Sequence, residues 1–372
     1  MLKTKLSKLS IIKIIFALFF INLRKIISNL AIILLMSDEF FMKLALDEAW
    51  KYQLLTYSNP AVGCAIVDKN GKLLALGAHK CAGLAHAELG AVALALCEIK
   101  PELKSELLRL ENSPNELYDF ILKNHKGALN GACAFVSLEP CTHFGKTPPC
   151  ALLLRDLGFC RVVFGSADLG RQAKGGAKLL ANAGVSVEQS SLKSKCDELL
   201  EPFLAWQSGH FAFFKLALSL NGVYTGKISS QIAQKHCHDL RSKLDLLVIG
   251  GNTVRSDRPI LDARFSATKH APDVLIYSRK SEFERQIPLF SILNRKVDIK
   301  SDLELLKKAK FAMIEGAGTL FKALENEFSW VLIYQSKSFK KGSFLDISKS
   351  LEIMHSTPLG ADTALWCKVR EN

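Results

Sequence analysis

His86-Ala87-Glu88, and further on Pro140-Cys141 and Cys150, set one imidazole, two thiols and a carboxylate in a pattern that suits a single metal ion. Zinc takes such donors tetrahedrally, and three protein ligands leave a fourth position for water. Cys141 and Cys150 stand at or near predicted helix starts, where unpaired backbone N–H groups favour a thiolate. Bulk water is a poor nucleophile at neutral pH, and zinc brings the pKa of a bound water from about 15.7 to roughly 7. Glu88 lies two residues past His86, so it can face the same cavity without ligating. It would carry a proton from the activated water to a leaving amine, which is hydrolytic deamination of a nucleobase-like ring. A buried histidine among unrelated core thiols is the blander reading. The run His-Ala-Glu after a small-residue turn, with Pro-Cys after a strand, argues against it. A closed structural zinc site would have no use for Glu88.

These residues need elements to hold them. Phe41, Leu44, Ala45, Glu48 and Ala49 follow helical spacing, with Asp38 as N-cap. Ala61–Val67 reads as a buried strand, Asp68-Lys69-Asn70-Gly71 as a hairpin turn and Lys72–Ala78 as the return strand. His86–Cys97 reads as a helix and residues 99–125 as a charged, amphipathic helical insertion on the surface. Strands over Ala132–Leu138, Arg161–Gly165 and Val185–Glu188 alternate with helices over Pro149–Leu157 and Gly176–Asn182. A second alternating series follows: strands Phe211–Leu218, Leu246–Ile249, Val274–Tyr277, Phe311–Ile314 and Val331–Tyr334, with a helix over Ile232–Arg241. The alternation predicts layered α/β architecture twice over.

The chain has 372 residues, enough for two domains, and 49% hydrophobic with 23% charged residues is a globular balance. We expect a domain over 36–190, a junction over 191–209 and a second domain over 210–372. The formal charge of +13 is uneven, because residues 1–35 hold six cations and no acid; without them 43 basic residues face 36 acidic ones. That balance suits an anionic small substrate and also nucleic acid. Ten cysteines, several inside apolar runs such as those around Cys64 and Cys133, read as buried free thiols in a reducing cytoplasm. Residues 1–35 are apolar runs split by Arg24-Lys25, shorter than a bilayer span. They read as a misassigned start ahead of Met36, or else as an anchor or signal.

The cysteine spacing narrows the reading. The run Leu138-Glu139-Pro140-Cys141-Thr142-His143-Phe144-Gly145-Lys146-Thr147-Pro148-Pro149-Cys150, with Asn59-Pro60-Ala61-Val62-Gly63 and Gly77-Ala78-His79, closely resembles the bifunctional deaminase–reductase of riboflavin biosynthesis. The resemblance runs from about Met36 nearly to the C-terminus. It implies a three-layer cytidine-deaminase-like domain followed by a dihydrofolate-reductase-like α/β domain. It also implies zinc and NADPH as cofactors. The substrate would be a diaminopyrimidinone ribosylamine 5′-phosphate, deaminated first and then reduced from ribosyl to ribityl. By the same resemblance, Asn59 and His79 would contact the pyrimidine, and Lys146 and Thr147 would lie near the phosphate. Lys146 is cationic, and Thr147 precedes a helix start suited to anions.

In the second half, Phe214–Gly222, His238-Asp239-Leu240-Arg241, Gly250–Val254, Asp257–Arg264 and Glu315–Leu320 match the family's reductase segments in order. The resemblance puts Lys215, Asp257, Glu315 and Ser219 at the substrate end and Arg241 and Arg264 on its phosphate. Thr253, Gly316, Ala317, Gly318 and Thr319 would face the nicotinamide cofactor. Asn221 stands where the family usually carries Asp, and Arg258 replaces a common second acid. A cytoplasmic homo-oligomer is expected, with no nucleic-acid partner and, if Met36 is the start, no membrane partner. Two competing readings are an RNA-base deaminase with an accessory domain and a membrane-anchored scaffold. The first leaves the second domain unexplained, and the second leaves Glu88 without a task.

Overall fold

The computed structural model describes residues 38–143, 145, 147–168 and 175–370. The expected extension over 1–35 and Lys146 lie outside the described residues. Among the described residues, no helix is long and apolar enough to cross a membrane.

The first layer system is a five-stranded sheet in the order β2-β1-β3-β4-β5, built from Gly63–Val67 (β1), Leu73–Ala78 (β2), Cys133–Leu138 (β3), Arg161–Ser166 (β4) and Ser186–Gln189 (β5). The expected turn joins β1 to β2: Asp68 Oδ1 accepts from the N–H groups of Asn70 and Lys72. β1 runs antiparallel to β2 and β3, whereas β3, β4 and β5 run parallel. Side chains alternate across the sheet. Cys64, Ile66, Ala134 and Val136 pack beneath helices Ala87–Ile99 (α2), Lys104–Arg109 (α3), Pro114–Asn124 (α4), Cys150–Asp156 (α5) and Gly176–Asn182 (α6). Ala65, Val67, Phe135 and Val163 pack on the opposite face. Residues 99–125 are helical as expected, but Leu107, Leu117 and Ile121 are buried, so the insertion is part of the core.

The opening helix, residues 38–50 (α1), corrects two expectations. Its buried face is Met42, Ala45, Leu46, Ala49 and Trp50, whereas Leu44 and Glu48 are only half-buried. Asp38 is helical rather than the N-cap, and its carboxylate forks onto Arg161 at 2.8 and 2.6 Å. The cause is packing on two sides. Phe41 meets Phe135 of the first sheet, with ring centroids 5.2 Å apart, and Trp50 stacks on Trp330 of the second at 5.8 Å.

The second sheet has eight strands in the order β12-β13-β11-β6-β10-β7-β8-β9. They are Phe211–Leu218 (β6), Leu246–Gly250 (β7), Asp273–Tyr277 (β8), Val297–Lys300 (β9), Phe311–Glu315 (β10), Trp330–Ser336 (β11), Leu351–Leu359 (β12) and Asp362–Val369 (β13). The six strands from β11 to β9 are parallel, and the β12–β13 hairpin closes one edge antiparallel. Helices Gln231–Arg241 (α8), Gly251–Asp257 (α9), Glu304–Lys308 (α10) and Gly318–Ala323 (α11) follow β6, β7, β9 and β10. The polar segment between the two strand series folds as Lys193–Ser208 (α7) and buries Cys196, Leu199 and Trp206. One apolar cluster runs from Met42 and Phe135 through Trp206 to Phe213, Trp330 and Trp366, so the two sheets share a core.

Candidate functional site

β3 ends at Leu138, and the chain then turns through Glu139-Pro140-Cys141 to reach the first residue of α5, Cys150. α2 begins one residue after His86, which occupies its N-cap position. The two helix starts face each other. His86 Nδ1 lies 3.6 Å from Cys141 Sγ and 3.5 Å from Cys150 Sγ, and the three donor atoms fall within 4.8 Å of one another. A tetrahedral ion with Zn–S near 2.3 Å and Zn–N near 2.05 Å needs an N···S edge of about 3.6 Å, so the donor set fits zinc. The backbone N–H of Cys150 also points at Cys141 Sγ, at 3.5 Å. Hydrogen bonding from Cys150, opposed by burial, and then from His86 lowers the Cys141 thiol to about 4. Cys141 itself is in a loop; the helix start that serves it is that of α5.

Glu88 is 4% exposed in the first turn of α2, and burial, reinforced by the charge at Cys141, raises its carboxyl to about 7. It lines a cavity of about 820 Å³ together with His86, Cys141, Asn59, His79 and Glu139. Asn59 and His79 hold each other: Asn59 Nδ2 lies 3.1 Å from His79 Nε2, and His79 Nδ1 lies 3.0 Å from the Ala85 carbonyl. Burial lowers His79 to about 4, so its ring is neutral. That fixes the tautomer: Nδ1 donates to the carbonyl and Nε2 accepts from the amide.

Thr147, expected near the phosphate, lines the same cavity. It is 6% exposed, and its Oγ1 lies 2.9 Å from His86 Nε2, on the ring nitrogen facing away from the sulfurs. Such a partner fixes the orientation of a metal-ligating imidazole. Glu139 was not singled out from the sequence. Its carboxylate accepts from the backbone N–H groups of Asp168, Gly175 and Ala177, tying the end of β4 and the start of the following helix to the cysteine loop. The signal was its place in Leu-Glu-Pro-Cys, beside the ligand. Gly176 is required there, since a Cβ would sit 1.8 Å from the Pro140 carbonyl oxygen.

A second constellation forms at the C-terminal ends of the parallel strands in the other sheet. Register places Lys215 of β6 directly beside Glu315 of β10. Lys215 Nζ donates to Glu315 Oε1 at 2.9 Å, and Arg241, the last residue of α8, donates to Glu315 Oε2 at 2.7 Å. Burial would raise the Glu315 carboxyl, but Arg241 and Lys215 outweigh it and hold it well below the usual range. Burial likewise opposes the Lys215 ammonium, and Glu315 overrides it. Arg241 Nε and His238 Nδ1 are buried without hydrogen-bond partners. Asp262 sits between them and Arg264: its carbonyl accepts from Arg241 at 3.3 Å and its carboxylate from Arg264 at 2.9 Å. His238 and Asp262 also belong to this group, although nothing in their spacing along the chain marks them.

Gly316, Ala317, Gly318 and Thr319 follow β10 into α11, and Thr253 lies in α9 after β7, the neighbouring parallel strand. Ligands of open α/β sheets bind outside such strand ends. A Cβ on Gly316 would meet the Leu320 side chain at 2.7 Å, so glycine lets α11 turn back tightly onto β10. This close approach of backbone to helix suits a dinucleotide phosphate. Two expected residues do not join the group. Asp257 is exposed at the end of α9 and accepts from Ser256. Ser219 is fully buried, and its hydroxyl closes the turn after β6 by bonding Asn221 and the N–H of Val223.

Comparison with known proteins supplies the rest. The cytidine and deoxycytidylate deaminase zinc-binding region matches residues 35–166. The riboflavin biosynthesis protein RibD of Aquifex aeolicus is 32% identical over 349 residues, 90% of this chain and 83% of that one. The RibD of Haemophilus influenzae is 34% identical over 67% of this chain and 60% of its own length. Two solved structures share the fold. The RibD of Acinetobacter baumannii has a TM-score of 0.58 at 23% identity, covering 91% of this chain and all of its own. A Thermotoga maritima diaminohydroxyphosphoribosylaminopyrimidine deaminase/5-amino-6-(5-phosphoribosylamino)uracil reductase has a TM-score of 0.58 at 22% identity, covering 90% and 99%.

Proposed function

The chain belongs to the riboflavin biosynthesis RibD family, and from that premise we propose that it catalyses both reactions of a deaminase–reductase. It removes an exocyclic amine from 2,5-diamino-6-ribosylamino-4(3H)-pyrimidinone 5′-phosphate. It then reduces the ribosyl unit to a ribityl chain with NADPH. The observation that carries the reading is the convergence of His86 Nδ1, Cys141 Sγ and Cys150 Sγ beside buried Glu88.

Zinc held by those three donors supplies the Lewis acidity that makes water a nucleophile near neutral pH. Glu88 moves the proton. A carboxyl that titrates near 7 can take a proton from water and return it to the departing amine with little bias either way. Thr147 keeps the His86 ring turned so that Nδ1 faces the sulfurs. Asn59 and His79, locked to each other, present the wall that reads the pyrimidine. We assign Lys146 to the ribose phosphate on its charge and its place in the motif.

In the second sheet NADPH supplies hydride, and the chain positions both partners. Ring opening of the ribosylamine exposes an imine-like C1. Lys215, held charged by Glu315, is the proton source beside it. Arg241 and Arg264 offer forked donors to the substrate phosphate, and the orphaned Arg241 Nε marks a buried position ready for an acceptor. Thr253 and residues 316–319 hold the cofactor. Asp257, exposed at the end of α9, and buried Ser219 stand outside this ion-paired group. We divide the chain into a deaminase domain over 36–190, a junction over 191–209 and a reductase domain over 210–372. We place the enzyme in the cytoplasm as a homo-oligomer acting on a small phosphorylated pyrimidine.

The test is to incubate the purified, zinc-loaded chain with the diaminopyrimidinone ribosylamine phosphate, with and without NADPH, and to weigh the products. Without NADPH the substrate mass shifts by the exchange of NH for O. With NADPH it shifts further by two hydrogens. An unchanged mass in both arms refutes the reading.

A further inference from the structure

Outside the zinc cluster, two sulfurs approach each other at the opposite end of β3, the strand that leads to Cys141. Cys133 opens β3, and Cys160 immediately precedes β4. The strands are parallel neighbours with Cys133 in register with Arg161, one residue past Cys160. The backbone N–H of Cys160 donates to the Ala132 carbonyl at 3.0 Å, so the two segments are pinned together. The sulfurs lie 3.9 Å apart, with Cys160 Sγ 3.1 Å from the Gly131 carbonyl. Cys160 is exposed and Cys133 half-buried, whereas Cys64, Cys196, Cys237 and Cys367 are buried. We propose that Cys133 and Cys160 form a reversible dithiol–disulfide pair, a redox site separate from the zinc centre, whose oxidant is a small disulfide of the glutathione type.

The geometry needs little change. Cys160 stands one residue before the register partner of Cys133 on the neighbouring parallel strand, and disulfides span Cα separations of about 4.4–6.8 Å. The sulfurs must close from 3.9 Å to about 2.05 Å, a shift of the size that side-chain rotation provides. The two thiols are also unequal. Burial, and then the neighbouring sulfur, push the Cys133 thiol up to about 11, which makes exposed Cys160 the one that meets the oxidant. Its thiolate attacks one sulfur of glutathione disulfide, and one glutathione thiolate leaves and takes up the proton that Cys160 lost. Cys133, no longer facing a competing thiolate, then gives up its proton and attacks the Cys160 sulfur. The second glutathione leaves with that proton. Two protein thiols are oxidised, and one glutathione disulfide is reduced to two glutathione molecules. The zinc ligand Cys141 follows the far end of β3, so the link forms away from the metal.

The experiment titrates the zinc-loaded full chain with glutathione buffers of increasing oxidation, alkylates remaining thiols, and reads intact mass, peptide map and zinc content. The expected result is loss of two hydrogens, a peptide linking Cys133 to Cys160, unchanged zinc, reversal by dithiothreitol, and a thermal midpoint raised by a few degrees. Cys160→Ser should abolish the loss. Cys133→Ser should instead stop at a stable glutathione adduct on Cys160, which identifies Cys133 as the resolving thiol. The proposal is overturned if the unaltered chain stops at that adduct, if the link maps to other cysteines, or if glutathione disulfide alone leaves the mass unchanged.

Discussion

The zinc centre draws its groups from two short runs, 86–88 and 141–150, whereas the Lys215–Glu315 pair spans 100 residues and needs Arg241 from a third element. The first site gathers donors that a cation would complete: two sulfurs and a ring nitrogen converge beside a carboxyl whose pKa burial raises. The second supplies its own counter-charge, with one carboxylate gripping an ammonium and a guanidinium, which leaves the trio one positive charge in excess. A site completed by a metal can be written as a local motif, because helix starts and a tight turn suffice to aim the donors. A site completed by its own ion pairs depends on strand register, and it carries its electrostatics into the fold's stability.

That contrast predicts where each site breaks. The largest expected effect is at Glu88: Glu88→Gln should cost about 10²–10⁴ in deamination rate while keeping zinc and leaving reduction of the deaminated substrate intact. Steady-state assays of each half-reaction, with metal analysis, check it, and equal loss in both halves would erase the distinction drawn here. Next comes Glu315→Gln, which leaves Lys215 and Arg241 as buried cations without their carboxylate. Breaking a buried pair costs about 3–5 kcal/mol, so thermal unfolding should shift and reduction should fail, with deamination surviving below the new midpoint.

Legibility in the sequence follows the same division. His86, Glu88, Cys141 and Cys150 were readable because their types and spacing state the chemistry. Most strands of both sheets were readable from apolar runs such as Phe211–Leu218, whose ends match the structure. β9, β12 and β13 were not. β9 has four half-buried residues, and β12 is a partly exposed edge strand carrying Pro358, so neither shows a buried run. The face of α1 was misjudged by one position because a helix packed on two sheets has no single apolar stripe. Thr147 was recognised as a site residue, but its bond to His86 depends on the turn of the cysteine loop, which spacing does not reveal.

Smaller effects sharpen the comparison by asking whether the two sites share one folding unit. Trp50 contacts Trp330 and Trp366, 5.8 and 6.3 Å between ring centroids, and it stacks on His355. Trp50→Phe should cost about 1–2 kcal/mol and split a single calorimetric transition into two, with zinc protecting only the first sheet. One undivided transition in the variant would argue that α1 is not the hinge of the shared core. Smallest is Tyr57→Phe. Its hydroxyl donates to Asp245 across the sheets at 3.3 Å, and the loss of one such bond is worth about 0.5–1.5 kcal/mol. Denaturant titration should register a small shift of midpoint with unchanged slope.

The most direct examination is X-ray absorption of the zinc-loaded chain, which counts the atoms around the ion. The expected result is one zinc per chain with two sulfurs near 2.3 Å, one imidazole nitrogen at about 2.0–2.1 Å and one further light ligand that exchanges with solvent. Four sulfurs, a shell closed by a second imidazole, or a chain that takes up no zinc would contradict it.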